Sequence, residues 1–372
     1  MIKAVGKSFE GLARRVRPHL SPAYRRAFDQ MVSRRLTQHK EGEPFVVCDF
    51  ANPAIDSVGG RYYASMILDF IAAGYFPVFT AHRATLSSFV MSGKKSLILG
   101  ERLGVIRSAE DMREPFFLIT DRSTPPPTLA TRVVKVDYEY RLARGENEME
   151  LPFFVHPQIG INVELPHPYD LGETRNTRIF FGGNTKEHRY SKDVLGDHYN
   201  VLNRREMLAA ATAAAVSNIY KPEDAEKWLA SDEFHPFVMF ESQRNKIPWN
   251  RWIDGLAKSD FFLACPGVGM PLCHNLIESL AAGTIPILQY GHYLPQPLEG
   301  GVNCLAFEDV DDLRKTVKSA LTLSQDHIRE LRGGVRDYYE RYLAPGRFAQ
   351  SLFAGEQTRK TLLMNAYRVP RK

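Results

Sequence analysis

A single stretch, residues 259–291 (SDFFLACPGVGMPLCHNLIESLAAGTIPILQYG), limits most strongly what this chain can fold into. Asp260–Cys265 and Thr284–Tyr290 are short apolar runs suited to buried strands. Between them, a Pro-Gly-Val-Gly turn leads into a segment with apolar residues at helical spacing, which Gly283 ends. We expect Pro271 in the first turn of that helix. The stretch therefore predicts a β-α-β unit, which favours a parallel sheet.

The polar face of this predicted helix carries His274, Asn275 and Glu278, whose spacing of three and four residues brings them near one another. The glycines of the preceding turn, Gly267 and Gly269, allow close approach of a ligand, and the N–H groups of a helix N-terminus suit a diphosphate. A carboxylate one or two turns along can accept two hydrogen bonds from a ribose diol. The alternative is a solvated glutamate beside an ordinary turn, and spacing alone leaves both interpretations open because glycine turns are common.

The run Glu278-Ser-Leu-Ala-Ala-Gly283-Thr-Ile-Pro286-Ile resembles the nucleotide-binding signature in the C-terminal domain of GT-B glycosyltransferases, and most of all that of exostosin-like enzymes. The signature covers about thirty residues, and the two-domain layout extends the resemblance more weakly to most of the chain. It implies two Rossmann-like domains facing across a cleft, with Glu278 holding the donor ribose. Many retaining members carry an acidic residue eight positions before this glutamate. Met270 stands there instead, which argues against that group.

The composition is that of an ordinary globular protein, with 372 residues, 44% hydrophobic and 24% charged, enough for two domains. The four cysteines show no metal-ligand spacing and predict reduced thiols in a reducing compartment. No apolar run reaches the roughly 18 residues of a membrane span. Because residues 1–20 also lack the apolar core of a secretory signal, we expect a cytoplasmic protein.

The N-terminal arm, residues 1–40, holds ten basic and two acidic residues, whereas the remainder holds 38 basic and 41 acidic. Apolar residues recur at helical spacing between the first of these charges (Ile2, Val5, Phe9, Leu12, Val16). This pattern predicts peripheral contact with an anionic membrane, at its inner face. Nucleic acid is not an expected partner, because the arm has few aromatics and the body is not basic. The alternative is a solvated helix packed on the first domain.

A second β-α-β pattern occupies residues 45–80, with a glycine loop before its helix. Ligands of open α/β sheets lie beyond the carboxyl ends of strands. The residues at those positions are therefore candidates for the acceptor side: Gly59, Gly60, Arg61 and Arg83. Asp56 and His82 are the candidates for a catalytic base that deprotonates the acceptor hydroxyl, if the enzyme inverts. Each residue alone is as well explained as a loop cap or a surface charge, and only the group at two strand ends is informative.

Further nucleotide-binding candidates follow two predicted strands of the second domain. Gly183 and Asn184 end a glycine loop, and Arg244 follows the strand that ends at Glu241. Arg189 and Lys192 come shortly after the glycine loop, where phosphate-binding Arg and Lys occur in the enzymes that this chain resembles. A planar guanidinium donates two parallel hydrogen bonds to phosphate. A solvated basic loop is the alternative for this segment.

One acidic string, Asp309-Val-Asp311, has the form that binds a metal-nucleotide in other glycosyltransferases. Here it immediately precedes a predicted helix, so N-capping and charge complementarity with the helix dipole explain it better. We therefore expect no metal site. No cofactor is expected either, because the nucleotide sugar is a substrate.

The sequence thus predicts an α/β protein of four parts: a basic helical arm (1–40), an acceptor-side Rossmann-like domain (41–170), a nucleotide-sugar-binding Rossmann-like domain (176–345) and a C-terminal segment (346–372) that crosses back to the first domain. The predicted reaction is metal-independent transfer of a sugar from a nucleotide sugar to a hydroxyl of a glycan or glycolipid. One alternative is a non-catalytic nucleotide- or glycan-binding protein of the same fold. The other, a dinucleotide-dependent oxidoreductase, is disfavoured because neither glycine turn is a G-x-G-x-x-G.

Overall fold

The computed structural model describes residues 18–34, 38–52, 60–93, 95–124, 126–138, 145–166, 169–186, 194–355 and 357–364. Contacts divide the chain into two compact units. Unit 1 contains the described residues up to Leu151 together with those from Pro345, and unit 2 is Pro152–Ala344. Each unit holds a parallel sheet with helices, so the prediction of an α/β protein with two Rossmann-like domains is confirmed.

The strands of the described chain are β1 Phe45–Asp49, β2 Phe76–Thr80, β3 Gly104–Ile106, β4 Phe116–Thr120, β5 Ala130–Asp137, β6 Glu148–Glu150, β7 Thr177–Gly183, β8 Ile219–Tyr220, β9 His235–Glu241, β10 Ser259–Leu263, β11 Ile285–Leu288, β12 Leu305–Ala306 and β13 Arg359–Leu363. The α-helices are α1 Pro22–Val32, α2 Arg61–Ala72, α3 Arg83–Met91, α4 Pro157–Asn162, α5 Val194–Tyr199, α6 Arg204–Ala214, α7 Ala225–Ala230, α8 Trp252–Ala257, α9 His274–Ala281, α10 Val310–Thr322, α11 Gln325–Tyr342 and α12 Arg347–Phe353.

The sheet of unit 1 has the order β3-β2-β1-β4-β5-β13-β6, with parallel pairing throughout. Its central strands are continuous apolar runs because helices cover both faces of a parallel sheet. Val47, Val78 and Leu118 belong to the buried cluster that results. The C-terminal strand β13 enters this sheet between β5 and β6, so that Leu362 is in register with both Val136 and Met149.

The second half of the basic arm belongs to the body of unit 1. Helix α1 lies against α3, where the Ser87 hydroxyl donates to the carbonyl of Tyr24 at 3.0 Å. The Arg83 guanidinium lies 5.3 Å from the centre of the Phe28 ring. Residues 1–17, which carry the amphipathic pattern, lie outside the described residues. No helix within the described ranges is long and apolar enough to cross a membrane.

Unit 2 begins at Pro152, and two contacts fasten the segment that follows Pro152 to the rest of this unit. The N–H of His156 donates to Glu278 at 3.1 Å. The carbonyl of Phe154 lies 2.7 Å from Nδ1 of His274. These contacts join residues more than a hundred positions apart, which sequence periodicity does not reveal.

The sheet of unit 2 has the order β12-β11-β10-β7-β9-β8, again with parallel pairing. After β7 the chain passes to β8 and β9 on one side of the sheet, and after β10 it passes to β11 and β12 on the other. Neighbouring strands whose connections leave in opposite directions open a crevice at their carboxyl ends, where ligands of such sheets bind. In unit 2 this switch point lies between the loops that follow β7 and β10.

Candidate functional site

The loop after β10 is longer than the sequence predicted. Helix α9 begins at His274, after an extended Cys273, so Pro271 precedes the helix and does not lie in its first turn. The helix begins later because residues 267–271 form a turn, in which the N–H of Gly267 donates to the carbonyl of Pro271 at 3.1 Å. A Cβ atom at Gly267 would lie only 2.6 Å from the carbonyl oxygen of Met270, so this turn requires glycine.

Glu278 lies on α9 as predicted, but its side chain is buried, with 2% of its surface exposed. One carboxylate oxygen accepts from the N–H of His156 at 3.1 Å. The other accepts from the indole N–H of Trp252, the first residue of α8, at 2.7 Å. The alternative interpretation of Glu278 as a solvated glutamate is therefore wrong, because two protein donors hold its carboxylate inside unit 2. Its role in holding a ribose stays a prediction.

The two other polar residues of this helix face have different surroundings. His274 is buried, and its ring packs edge-on against that of His156, with centroids 5.1 Å apart. Asn275 is half-buried, and its amide nitrogen lies 3.5 Å from the carbonyl of Gly182 in β7. Of the three predicted residues, Asn275 is thus the one that lies against the carboxyl end of β7.

Arg204 joins the two loops of the switch point, and the sequence analysis missed it. Its guanidinium donates to the carbonyl of Asn184 at 3.1 Å and to the carbonyl of Pro266 at 2.9 Å. It is the first residue of α6, directly after Asn203, which caps that helix in a capping box with Glu206. The capping box was the available signal, because it fixes where the helix begins and hence where the arginine points.

A cavity of about 330 Å³ opens beside α6 in unit 2. Leu208, Ala209 and Met239 form its apolar wall. Glu241, the last residue of β9, lines its polar side together with Arg204 and Arg205. The cavity lies at the carboxyl end of the sheet, beside Gly183, which ends β7, and Asn184, which follows it. Its volume falls in the range of small-molecule sites.

Among the described residues predicted to bind phosphate, Arg244 is not one of those that line this cavity. Arg244 is exposed in the turn after β9, where its N–H donates to the carbonyl of Glu241 at 2.8 Å. Arg189 and Lys192 lie outside the described residues. The position of Gly269 in the loop after β10 is half-buried.

In unit 1, the carboxyl ends of β1, β2 and β4 converge on Asp49. Its carboxylate accepts from the hydroxyl of Thr80 at 2.7 Å and pairs with Arg122 at 3.0 Å. Asp121 accepts from the N–H of Asn52 at 3.0 Å and from the hydroxyl of Tyr138 at 2.7 Å. Asp121 therefore holds the chain at Asn52, just after β1. The predicted base Asp56 and the acceptor-side candidate Gly59 lie outside the described residues.

His82, the other predicted base, is the residue before α3, and its Nδ1 lies 3.2 Å from the hydroxyl of Thr85. Burial lowers the pKa of His82, and the positive charge of Arg122 lowers it further. A neutral imidazole at pH 7 is the form that can accept a proton.

The three acceptor-side candidates of unit 1 that the structure describes lie at helix starts. Gly60 is the residue before α2, and the guanidinium of Arg61 lies against the hydroxyl of Tyr62 at 3.4 Å. Arg83 covers the ring of Phe28. The loop-cap interpretation suits Gly60. The surface-charge interpretation does not suit Arg61 or Arg83, because both arginines are half-buried.

The acidic string at the start of α10 caps that helix, as predicted. The Asp309 carboxylate accepts from the N–H groups of Asp311 and Asp312 at 2.9 and 2.8 Å. Across the part of the chain that the structure describes, no group of three or more His, Cys, Asp or Glu side chains is placed to hold a metal ion.

The sequence matches no protein-family model and no curated protein sequence. Three solved structures are similar in backbone: a glycosyltransferase from Rickettsia africae ESF-5 (9% identity, 84% of this chain and 97% of that chain, TM-score 0.45), WaaG, a glycosyltransferase involved in lipopolysaccharide biosynthesis (12%, 84% and 100%, 0.34), and HepE of Anabaena in complex with UDP (10%, 83% and 99%, 0.37). At identities of 9–12% and TM-scores of 0.34–0.45, none of these similarities assigns an activity to this chain.

Proposed function

We propose that this chain is a glycosyltransferase of the GT-B type, similar to exostosin-like enzymes, which transfers a sugar from a nucleotide sugar to a hydroxyl of a glycan or glycolipid. The observation that carries the proposal is the switch point of unit 2. There, the signature segment 278–287 follows the glycine loop of residues 266–269 along the chain. Arg204 joins that loop to the one after β7 by donating to a carbonyl of each. A nucleotide is the ligand that such a crevice commonly takes.

The reaction needs negative charge to be stabilised on the departing nucleoside diphosphate. Arg204 is already fixed by two carbonyls beside both loops, so its charge needs no rearrangement when the diphosphate forms. Arg244 and the predicted pair Arg189 and Lys192 would add further cations. Side chains and main-chain N–H groups thus supply the positive charge that stabilises the departing diphosphate. Asp309 acts as a helix cap.

The acceptor hydroxyl must lose a proton in an inverting transfer. His82 suits this role because its lowered pKa keeps the imidazole neutral at pH 7. Asp56 is the second candidate. His82 belongs to unit 1, the acceptor side of the proposed enzyme.

We assign the basic arm to peripheral contact with an anionic membrane at the cytoplasmic face, where a glycolipid acceptor would be found. Deleting residues 1–20 should lower binding to liposomes that contain phosphatidylserine, with unchanged nucleotide binding. Equal liposome binding by both forms at physiological salt would rule out this assignment.

The test of the function is a thermal-shift screen of the full chain with UDP, GDP, CMP and dTDP sugars and with NADH and NADPH, followed by assays of nucleotide release. A ligand at 100 times its Kd stabilises a protein by about 2.7 kcal/mol, which such a screen detects. Stabilisation with release of nucleotide supports a glycosyltransferase. Stabilisation with neither hydrolysis nor transfer indicates the non-catalytic binding protein. Stabilisation by NAD(P)H alone indicates the oxidoreductase, and no stabilisation by any nucleotide sugar rejects the proposal.

A further inference from the structure

The cavity beside α6 has a polar side that is fixed before any ligand arrives. The hydroxyl of Thr185 donates to one oxygen of Glu241 at 3.3 Å, and Lys221 donates to the other at 2.8 Å. Thr185 is itself held by Gln243, whose side-chain oxygen accepts from the N–H of Thr185 at 3.2 Å. Two donors use about half of the acceptor capacity of a carboxylate, which is about four lone pairs.

The charges around the cavity favour an anionic ligand. Among the described residues that line it, the charged side chains are Arg204, Arg205 and Glu241, so cations outnumber the carboxylate. The hydrogen bond with Lys221 lowers the pKa of Glu241, which therefore stays ionised near pH 7 and can only accept hydrogen bonds. A suitable ligand is anionic at one end and carries hydroxyl donors.

The wall of the cavity formed by Leu208, Ala209 and Met239 is apolar. Leu208 and Ala209 stand on neighbouring positions of α6, and Met239 lies two residues before Glu241 on β9. An aromatic ring that packs on this wall removes apolar surface from water. A nucleotide combines such a ring with a ribose diol and a phosphate, whereas a sugar phosphate lacks the ring.

We propose that this cavity takes the nucleoside end of the nucleotide, with the ribose diol donating to Glu241 and the base packed against Leu208, Ala209 and Met239. This inference rests on the proposed function and names the subsite that recognises the nucleoside. It assigns the ribose to a different carboxylate from Glu278, whose two oxygens accept from His156 and Trp252. Glu241, by contrast, lies at the carboxyl end of a strand and lines an open cavity.

The test is calorimetry on the full chain with UDP, GDP and CDP, each paired with its 2′-deoxy counterpart. The wild-type protein should bind the ribose form about tenfold more tightly, equivalent to about 1.4 kcal/mol. In Glu241→Gln this ratio should fall close to one. Glu233→Gln is the matched control, because Glu233 lies just before the other end of β9 and has 76% of its side chain exposed. Lys221→Gln, which removes the ion pair but keeps the carboxylate, should retain the ratio.

The wall is tested with Ala209→Leu, which should weaken both forms of the nucleotide more than tenfold by filling the cavity. Ala213→Leu makes the same change one turn further along the same helix, at an equally exposed position that is not among the described residues lining the cavity, and should leave binding unaltered. A ribose preference that persists in Glu241→Gln and disappears in folded Glu278→Gln would overturn the inference. So would unaltered binding by Ala209→Leu. Both results leave the proposed function standing, whereas a wild-type protein that binds no nucleotide rejects both.

Discussion

The side-chain carboxylate of Asp69, in helix α2, accepts a hydrogen bond from the main-chain N–H of Gly346 at 2.7 Å. Its second oxygen accepts from the N–H of Ala349 at 2.8 Å. Two N–H groups that α12 leaves without a partner inside the helix are thus satisfied by a residue from the N-terminal part of the chain. This contact fastens the C-terminal segment to unit 1 just before β13 enters the sheet.

Asp69 should make the stability of unit 1 depend on pH. Burial raises the pKa of Asp69 from 3.8 to about 6, although the two N–H donors oppose this. The folded state therefore binds the proton more tightly than the unfolded state between these values, so the free energy of unfolding falls as pH rises from about 4 to 6. At about 1.36 kcal/mol per pKa unit, the fall is about 3 kcal/mol.

Asp69→Asn isolates this contribution, because asparagine does not titrate. Urea unfolding of both proteins, followed by circular dichroism from pH 4 to pH 7.5, should show their difference in unfolding free energy shrinking toward neutral pH. A constant difference across this range would contradict the raised pKa.

Gly346 should not tolerate a side chain. Its φ of +86° is in the left-handed region, and a Cβ atom would lie 3.0 Å from Cα of Ala73. Gly346→Ala should therefore cost the conformational penalty of about 1–2 kcal/mol and a further amount for the contact. Gly355→Ala is the matched control, since Gly355 has a φ of +80° with nothing within 4 Å of its Cβ position. Equal unfolding free energies for the two variants would show that the contact has no cost.

Long apolar or amphipathic patterns determined what the sequence could predict. The predicted strands Asp260–Cys265 and Thr284–Tyr290 agree with β10 and β11 to within two residues at each end, because each strand is defined by its own residues. Strands β3 and β6 were missed, since a three-residue strand is defined by the neighbour with which it pairs. Parallel pairing of β13 with β5 likewise depends on residues more than two hundred positions apart.

In the candidate site, too, features defined by neighbouring residues were predicted and features defined by distant residues were not. Gly267 was recognised from its local turn, and Asp309 from its place before a helix. The burial of Glu278 was not, because its donors come from Trp252 and from the segment that opens unit 2. Helical periodicity identifies which face of a helix is polar, but it does not show what packs on that face.

The hydrogen bond between Glu278 and Trp252 should stabilise unit 2. A hydrogen bond to a charged group contributes about 1.5–3 kcal/mol, so Glu278→Gln and Trp252→Phe should each lower the free energy of unfolding. The double variant should cost less than the sum of the two, and the difference measures the coupling. Trp249→Phe is the control, because Trp249 is exposed. Additive losses would show that the 2.7 Å contact contributes nothing to stability.

The acidic string should matter for helix stability and little for turnover. Asp309→Ala removes the acceptor for two N–H groups and should cost about 1 kcal/mol of stability. Asp311→Asn should cost less, because Asp311 pairs with Arg314 at the surface, where ion pairs contribute little. EDTA should leave most of the transferase activity. Activity that disappears with EDTA and returns with Mn²⁺ would contradict the assignment of this string to capping alone.

His82 provides the last prediction, which concerns catalysis in unit 1. If its imidazole accepts the acceptor's proton, His82→Ala should lower kcat by about 10²–10⁴-fold with little change in nucleotide affinity. The pKa of His82 is below its usual 6.5, mainly because of burial. Activity should therefore persist as pH falls through 6.5 and decline only at lower pH, when the imidazole becomes protonated. A pH profile of kcat/KM for the wild type, and the loss of its acidic limb in His82→Ala, would identify the base. Unchanged turnover in His82→Ala would leave Asp56 as the candidate, and unchanged turnover in Asp56→Asn as well would argue for a retaining reaction.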